Sequence, residues 1–158
     1  MYDFLDRPVT SLDHGGRFLV WSTRNWVQAA GDRKCPASVI ARAFSKWNML
    51  SGLQPFLRMM AQFNRHGLHN FQFCALPCNH VSEHEAIIIS LVCSLRDSRP
   101  DMVKSTLALL VEEEAIADVI GSLSAFGRAM DAAGIYPDRP GANSPSETSP
   151  QAWHPPHE

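Results

Sequence analysis

The sequence lacks a long apolar run, a cysteine-rich framework and any sizeable net charge. Its longest apolar stretch, residues 86–95, is much shorter than the roughly 18 residues that a membrane span needs. The 158 residues contain only four cysteines, too few for a disulfide-stapled scaffold of this length. The first residues are acidic, unlike a signal peptide. We therefore expect a cytoplasmic protein with no membrane association.

The end of the chain differs in composition from the rest. Residues 137–158 hold 6 of the 11 prolines and only three hydrophobic side chains. Such a segment cannot bury enough apolar surface to offset the entropy lost on ordering. We therefore predict a single domain, residues 1–136, followed by a disordered proline-rich tail, residues 137–158.

Apolar residues recur at helical spacing through most of the predicted domain, and no segment is a credible sheet strand. Pro36 and Pro100 suit a first helical position, and Ser82 with Glu85 forms a capping box. The predicted class is all-α, a single irregular bundle of five to six helices. The predicted helices span residues 13–30, 36–47, 53–65, 83–96 and either one or two helices within 101–133.

Several glycines and a proline are expected to mark helix ends. Gly31 is predicted to close the first helix with a positive φ, and Gly15-Gly16 to weaken its first turn. Residues 48–52 are predicted to form a turn, which places Pro55 in the first turn of the third helix.

Soft metal ligands concentrate in the one segment without helical periodicity, residues 68–81, and at its two ends. The densest part runs C-x3-C-x-H-x3-H. Zinc binds four tetrahedral nitrogen or sulfur ligands. The sequence therefore predicts a zinc site with these ligands: Cys74, Cys78, His80 and His84, with His69 as an alternative to His84.

Two other interpretations of this cluster stay open, because common structural zinc sites separate their ligand pairs by a longer loop. Cys74 and Cys78 can form a redox or disulfide pair. Alternatively, the cluster consists of buried thiols and ordinary surface histidines. Cys35 and Cys93 are predicted to be capping or buried thiols outside the site.

Negative charge is absent from a long internal stretch. No Asp or Glu occurs in the 50 residues from Arg33 to Ser82, which carry six basic side chains. Two helices joined by a glycine-containing turn are typical of a helix-turn-helix. The alternative function is therefore nucleic-acid binding, although the net charge of −2 does not favour it. The predicted contacts are Arg42, Lys46, Arg58 and Arg65. A solvated face, or one that docks on the acidic residues 112–118, is the competing interpretation.

Catalytic motifs are scarce. Glu83, His84 and Glu85 are the only carboxylate–imidazole grouping of the domain, and adjacent helical residues point in different directions. The sequence has no glycine-rich phosphate loop, nucleophile elbow or HExxH motif. We assign no catalytic residue, and a metal-dependent hydrolase is the least favoured hypothesis.

At Pro77-Cys78, followed by Ser82-Glu83-His84-Glu85-Ala86, the chain resembles a group of short, uncharacterised alphaproteobacterial all-helical proteins. These proteins likewise carry a cysteine-bearing loop after a proline and then a Ser/Thr-capped helix. The resemblance covers roughly residues 14–137. It implies a small bacterial cytosolic protein and places Cys78 ahead of Cys74 as the cysteine of interest. It implies no activity, because the function of the group is unknown.

The leading hypothesis is a small non-enzymatic helical module for binding or regulation. Its cysteine–histidine cluster would make it either metal-stabilised, with zinc as the expected metal, or redox-responsive. The expected partner is another protein, and the sequence does not specify an oligomeric state.

Overall fold

The computed structural model describes residues 3–140, which form an irregular bundle of six α-helices without a β-strand. The predicted all-α class is confirmed. The helices are α1 (His14–Gly31), α2 (Pro36–Lys46), α3 (Leu50–His66), α4 (Glu83–Arg96), α5 (Pro100–Ala108) and α6 (Ile116–Ala132). Two short 3-10 turns, Val9–Ser11 and Glu113–Ala115, precede α1 and α6. No helix in this part of the chain is long and apolar enough to cross a membrane.

A line of phenylalanine rings joins four of the helices. The ring centroid of Phe18 in α1 lies 4.8 Å from that of Phe44 in α2. Phe56 in α3 then lies 5.5 Å from Phe44 and 5.6 Å from Phe126 in α6. Tilted pairs at such distances each contribute about 0.5–1.5 kcal/mol beyond the burial of their area. All four rings are buried, so α1, α2, α3 and α6 share one core.

Helix α4 is the most completely buried helix. Every residue from Glu85 to Ser94 is buried, which fits a helix that is apolar on nearly all sides. It contacts α1, α5 and α6. Its predicted bounds and its Ser82–Glu85 capping box are both confirmed.

The turn between α2 and α3 is shorter than predicted, because α3 begins at Leu50. Asn48 turns the chain with a φ of 57°. Gly52 is therefore a buried helical residue, and a Cβ there would lie 3.0 Å from the Cβ of Ala129 in α6. Its role is to let α3 approach α6 closely. Pro55 lies inside α3, beyond the first turn in which it was expected.

The glycines of α1 also differ from the prediction. Gly31 is the last residue of α1, and Arg33 adopts the positive φ, 56°, instead. The helix starts at His14, because Asp13 Oδ1 accepts the Gly16 N–H at 2.8 Å. Gly15 is buried against the backbone carbonyl of Ile135, which leaves no space for a Cβ. Tertiary packing therefore explains why residue 15 is a glycine.

The chain between 101 and 133 forms two helices, separated by a 3-10 turn, and Gly134 follows α6 with a φ of 73°. Residues 137–140, which the composition assigns to the tail, contact the bundle. Pro137 is buried, and Arg139 donates to Asp3 at 2.8 Å and to Asp97 at 3.0 Å. The rest of the predicted tail, residues 141–158, lies outside the described residues.

Replacing Gly15 by alanine should destabilise the fold, because the new methyl group meets the Ile135 carbonyl, a backbone group that cannot rotate away. We expect the free energy of unfolding, measured by urea denaturation, to fall by about 1–3 kcal/mol. Gly121→Ala is the matched control. A Cβ at Gly121 meets nothing within 4 Å, so this variant should gain up to about 1 kcal/mol from helix propensity. Equal effects of the two substitutions would contradict the packing role of Gly15.

Candidate functional site

One buried arginine organises residues 72–82, the segment that contains Cys74 and Cys78. We call this segment the thiol loop. Arg24 of α1 is only 4% exposed. Its guanidinium binds Glu85 of α4 through two bonds, Nε to Oε1 at 2.7 Å and Nη2 to Oε2 at 3.0 Å. It also donates to the carbonyl oxygens of Cys78 at 2.6 Å and His80 at 2.7 Å. Arg24 thereby supplies donors to loop carbonyls that have no helix or sheet to pair with.

Glu85 holds the same loop from the other side. Its carboxylate accepts the Ser82 N–H at 2.9 Å and the Cys74 N–H at 3.2 Å. Desolvation lowers the pKa of Arg24, but the hydrogen bond and the charge of Glu85 outweigh it, so the pKa lies above its usual value. The guanidinium therefore stays charged, and the pair meets the requirement that buried charges be matched and hydrogen-bonded.

The thiol loop brings Cys74 and Cys78 together. The Cys78 N–H donates to the Ala75 carbonyl at 3.0 Å, which closes a tight turn between the two cysteines. Both side chains are half-buried free thiols. Desolvation raises the pKa of Cys74, and the hydrogen bond with the Cys78 thiol and the charge of Glu85 raise it further. Cys74 is therefore protonated at neutral pH.

The four predicted zinc ligands do not converge. His84 Nδ1 accepts the Gln72 N–H at 3.0 Å, and its ring meets Phe71 edge-on with centroids 4.9 Å apart. His80 is exposed at the end of the loop. Among residues 3–140, no group of three or more His, Cys, Asp or Glu side chains is placed to hold a metal ion. Of the interpretations that the sequence left open, this geometry is compatible with the cysteine pair and with half-buried thiols beside surface histidines.

The other two cysteines lie elsewhere. Cys93 is buried in α4, its Sγ lies 3.4 Å from the Pro137 carbonyl oxygen, and burial raises its pKa to about 12. Cys35 occupies the N-cap of α2 and is exposed. Hydrogen bonds from the backbone and side chain of Ser38 lower its pKa. Cys35 therefore ionises more readily than Cys93. Thiol chemistry on the loop must be measured in a variant that lacks the Cys35 thiol.

The predicted phosphate-binding side chains, Arg42, Lys46, Arg58 and Arg65, are all exposed on α2 and α3. They do not form a surface of positive charge alone. Arg58 shares a groove between α3 and α6 with Asp118. At the end of α3, His66 Nδ1 lies 3.0 Å from Glu112 Oε2. The later part of α3 therefore meets the acidic segment 112–118, as the competing interpretation expected.

No protein-family model matches the chain, and comparisons with curated proteins and with solved structures find no significant match. The resemblance to short alphaproteobacterial helical proteins therefore stays a prediction. Function has to be inferred from the geometry of the site.

Arg24→Met should strongly destabilise the fold, because it leaves the buried carboxyl group of Glu85 without its cationic partner and removes the donors to the loop. We expect the free energy of unfolding to fall by about 3–5 kcal/mol in urea denaturation. Arg24→Lys should lower the free energy of unfolding by an intermediate amount. An ammonium group cannot make both the two-bond contact with Glu85 and the hydrogen bonds to the loop.

The matched control is Arg42→Met, which removes an exposed arginine from α2. We expect its stability to stay within about 0.5 kcal/mol of the unmodified chain. An Arg24→Met protein as stable as this control would show that the buried pair does not organise the loop.

Proposed function

We propose that the chain is a non-enzymatic helical regulatory module whose thiol loop responds to oxidation by forming a Cys74–Cys78 disulfide. The observation that supports it is the placement of two free thiols on either side of one tight turn, in a loop that a buried ion pair holds. We also propose a cytoplasmic location, since four cysteines in 158 residues are too few for the disulfide-stapled scaffolds typical of secreted proteins.

The chemistry is thiol–disulfide exchange with a small disulfide such as oxidised glutathione. The first attack is assigned to Cys78, because the Glu85 carboxylate bonded to the Cys74 amide disfavours a thiolate on Cys74. The Cys78 thiolate attacks one sulfur of the oxidant, forms a mixed disulfide and releases one glutathione thiolate. Cys74 then loses its proton, attacks the Cys78 sulfur and releases the second glutathione. Two protein thiols are oxidised while one glutathione disulfide is reduced to two thiols.

The position of the thiols connects this reaction to the rest of the bundle. The Cys74 N–H is bonded to Glu85, and the Cys78 carbonyl is bonded to Arg24. A covalent bond between the two side chains changes the backbone at both residues. Oxidation therefore acts directly on the ion pair that joins α1 to α4.

The exchange reaction is tested on the full chain carrying Cys35→Ser, so that the exposed thiol of α2 cannot react. After incubation with oxidised glutathione, peptide mapping should find a Cys74–Cys78 disulfide. Its reduction potential should lie above about −300 mV, outside the range of structural disulfides. Adding Cys74→Ser should leave glutathione attached to Cys78, whereas adding Cys78→Ser should give slower modification of Cys74.

Hydrogen exchange separates a regulatory disulfide from an inert one. The amides of Cys74 and Ser82, both bonded to Glu85, should exchange at least about tenfold faster after oxidation, a change of about 1.4 kcal/mol in local opening. Amides within α3 serve as the internal control and should not change. Failure to form the disulfide, or unchanged exchange in the loop, would refute the proposal. Zinc that protects both cysteines from alkylation would instead support the metal interpretation.

A second candidate function is nucleic-acid binding, and one observation favours it. Only residues 47–49 separate α2 from α3, a length within the three to four residues usual for a helix-turn-helix. The predicted contact residues are exposed on these two helices. Asp118 beside Arg58 opposes this function, because it repels a phosphate.

Binding to a short DNA duplex, followed by fluorescence anisotropy across a salt series, tests this candidate. Each phosphate contact should contribute about −0.9 to the slope of log K against log salt. Arg42→Gln with Arg58→Gln should reduce the slope by about 2. The control, Lys104→Gln with Arg128→Gln on α5 and α6, should leave it unchanged. A flat salt response in the unmodified chain would remove the candidate.

A further inference from the structure

A pocket of about 510 Å³ lies between α1, α3 and the segment that leads into the thiol loop. Its walls are largely aromatic, with Trp26 from α1, Phe63 from α3, Phe71 just before the thiol loop and Phe73 at the start of that loop. The rings of Phe63 and Phe71 have centroids 5.2 Å apart, and those of Phe71 and Phe73 are stacked at 6.4 Å. The volume falls within the range of about 300–1,000 Å³ that is usual for small-molecule sites.

The polar part of the pocket consists of two side-chain amides and one imidazole. Asn64, His69 and Asn70 line it, and all three residues are exposed. No Asp, Glu, Lys or Arg in this described part of the chain contributes to the lining. The pocket therefore combines aromatic ring surfaces with exposed amide donors and acceptors.

We infer that this pocket binds an uncharged, planar heteroaromatic ring. A flat ring gains offset-stacked and edge-on contacts with the aromatic walls that a flexible aliphatic group does not. A charged ligand would lose hydration without meeting an Asp, Glu, Lys or Arg side chain in the lining. The amides of Asn64 and Asn70 supply donors and acceptors for ring nitrogens and exocyclic groups. This inference goes beyond the thiol chemistry and is independent of it, because no cysteine lines the pocket.

Ligand-detected and protein-detected NMR titrations of the full chain test the inference with four probes. Indole and 2-aminopurine are neutral planar heteroaromatics, benzoate is a charged ring, and cyclohexanol is neutral but not planar. We expect the two heteroaromatics to bind with dissociation constants of about 1 mM or tighter and to shift the Trp26 side-chain N–H. Benzoate and cyclohexanol should bind at least about tenfold more weakly.

A pocket-filling variant separates specific binding from general association with aromatic compounds. Ala30 lines the pocket from an exposed position on α1, so Ala30→Trp fills it without disturbing the core. It should weaken 2-aminopurine binding at least about tenfold, a change of about 1.4 kcal/mol. Ala61→Trp is the matched control, at an exposed position on α3 that does not line this pocket, and should leave binding unchanged.

Three results would overturn the inference: no binding of either heteroaromatic probe, equal binding of cyclohexanol, or equal effects of the two tryptophan substitutions. A chain with Cys74→Ser and Cys78→Ser should bind 2-aminopurine as the unmodified chain does. The titration therefore gives its answer whether or not the thiols prove to be redox-responsive.

Discussion

The conformation of the thiol loop depends on the buried ion pair between Arg24 and Glu85. The loop is largely half-exposed or exposed, so it has almost no apolar core to define its path. Several of its carbonyl and amide groups are bonded to one guanidinium and one carboxylate, which come from different helices. Asn79 and Val81 also pair with the backbone of residues 6–9. A well-packed apolar pair in place of these two charges could maintain the contact between α1 and α4. It could not supply hydrogen bonds to the loop, so the pair specifies a conformation more than it adds stability.

The histidines that suggested a metal site have a different role at this junction. His84 accepts a hydrogen bond from the Gln72 backbone, and the Gln72 carbonyl accepts one from Ser82 at 3.0 Å. These bonds fasten the start of the loop to the first turn of α4. The same segment of the chain carries Phe71 and Phe73, whose rings line the aromatic pocket. The pocket and the thiols are therefore parts of one continuous segment with separate anchors at its two ends.

The features that sequence predicted well are those with local causes. The bounds of α4 follow from a capping box and an apolar run, and both lie within the helix itself. Gly15 and Gly52 were misinterpreted because their roles depend on Ile135 and Ala129, far along the chain. Arg24 was missed for the same reason, since its partner Glu85 is 61 residues away. Sequence identified the non-helical segment between α3 and α4 that carries these cysteines and histidines. Spacing along a loop does not determine which side chains face each other.

The uneven charge of the chain is explained by the way the two halves pack. Residues 1–65 carry a net charge of +5 and residues 66–136 a net charge of −5. The buried pair joins a cation of the first half to an anion of the second, and Arg58 and Asp118 line the same groove between α3 and α6. Opposite charges at these two places are thus brought together within one molecule. A basic half that is partly neutralised by its own fold has less positive potential to offer a phosphate backbone, which weighs against nucleic-acid binding and in favour of the thiol loop.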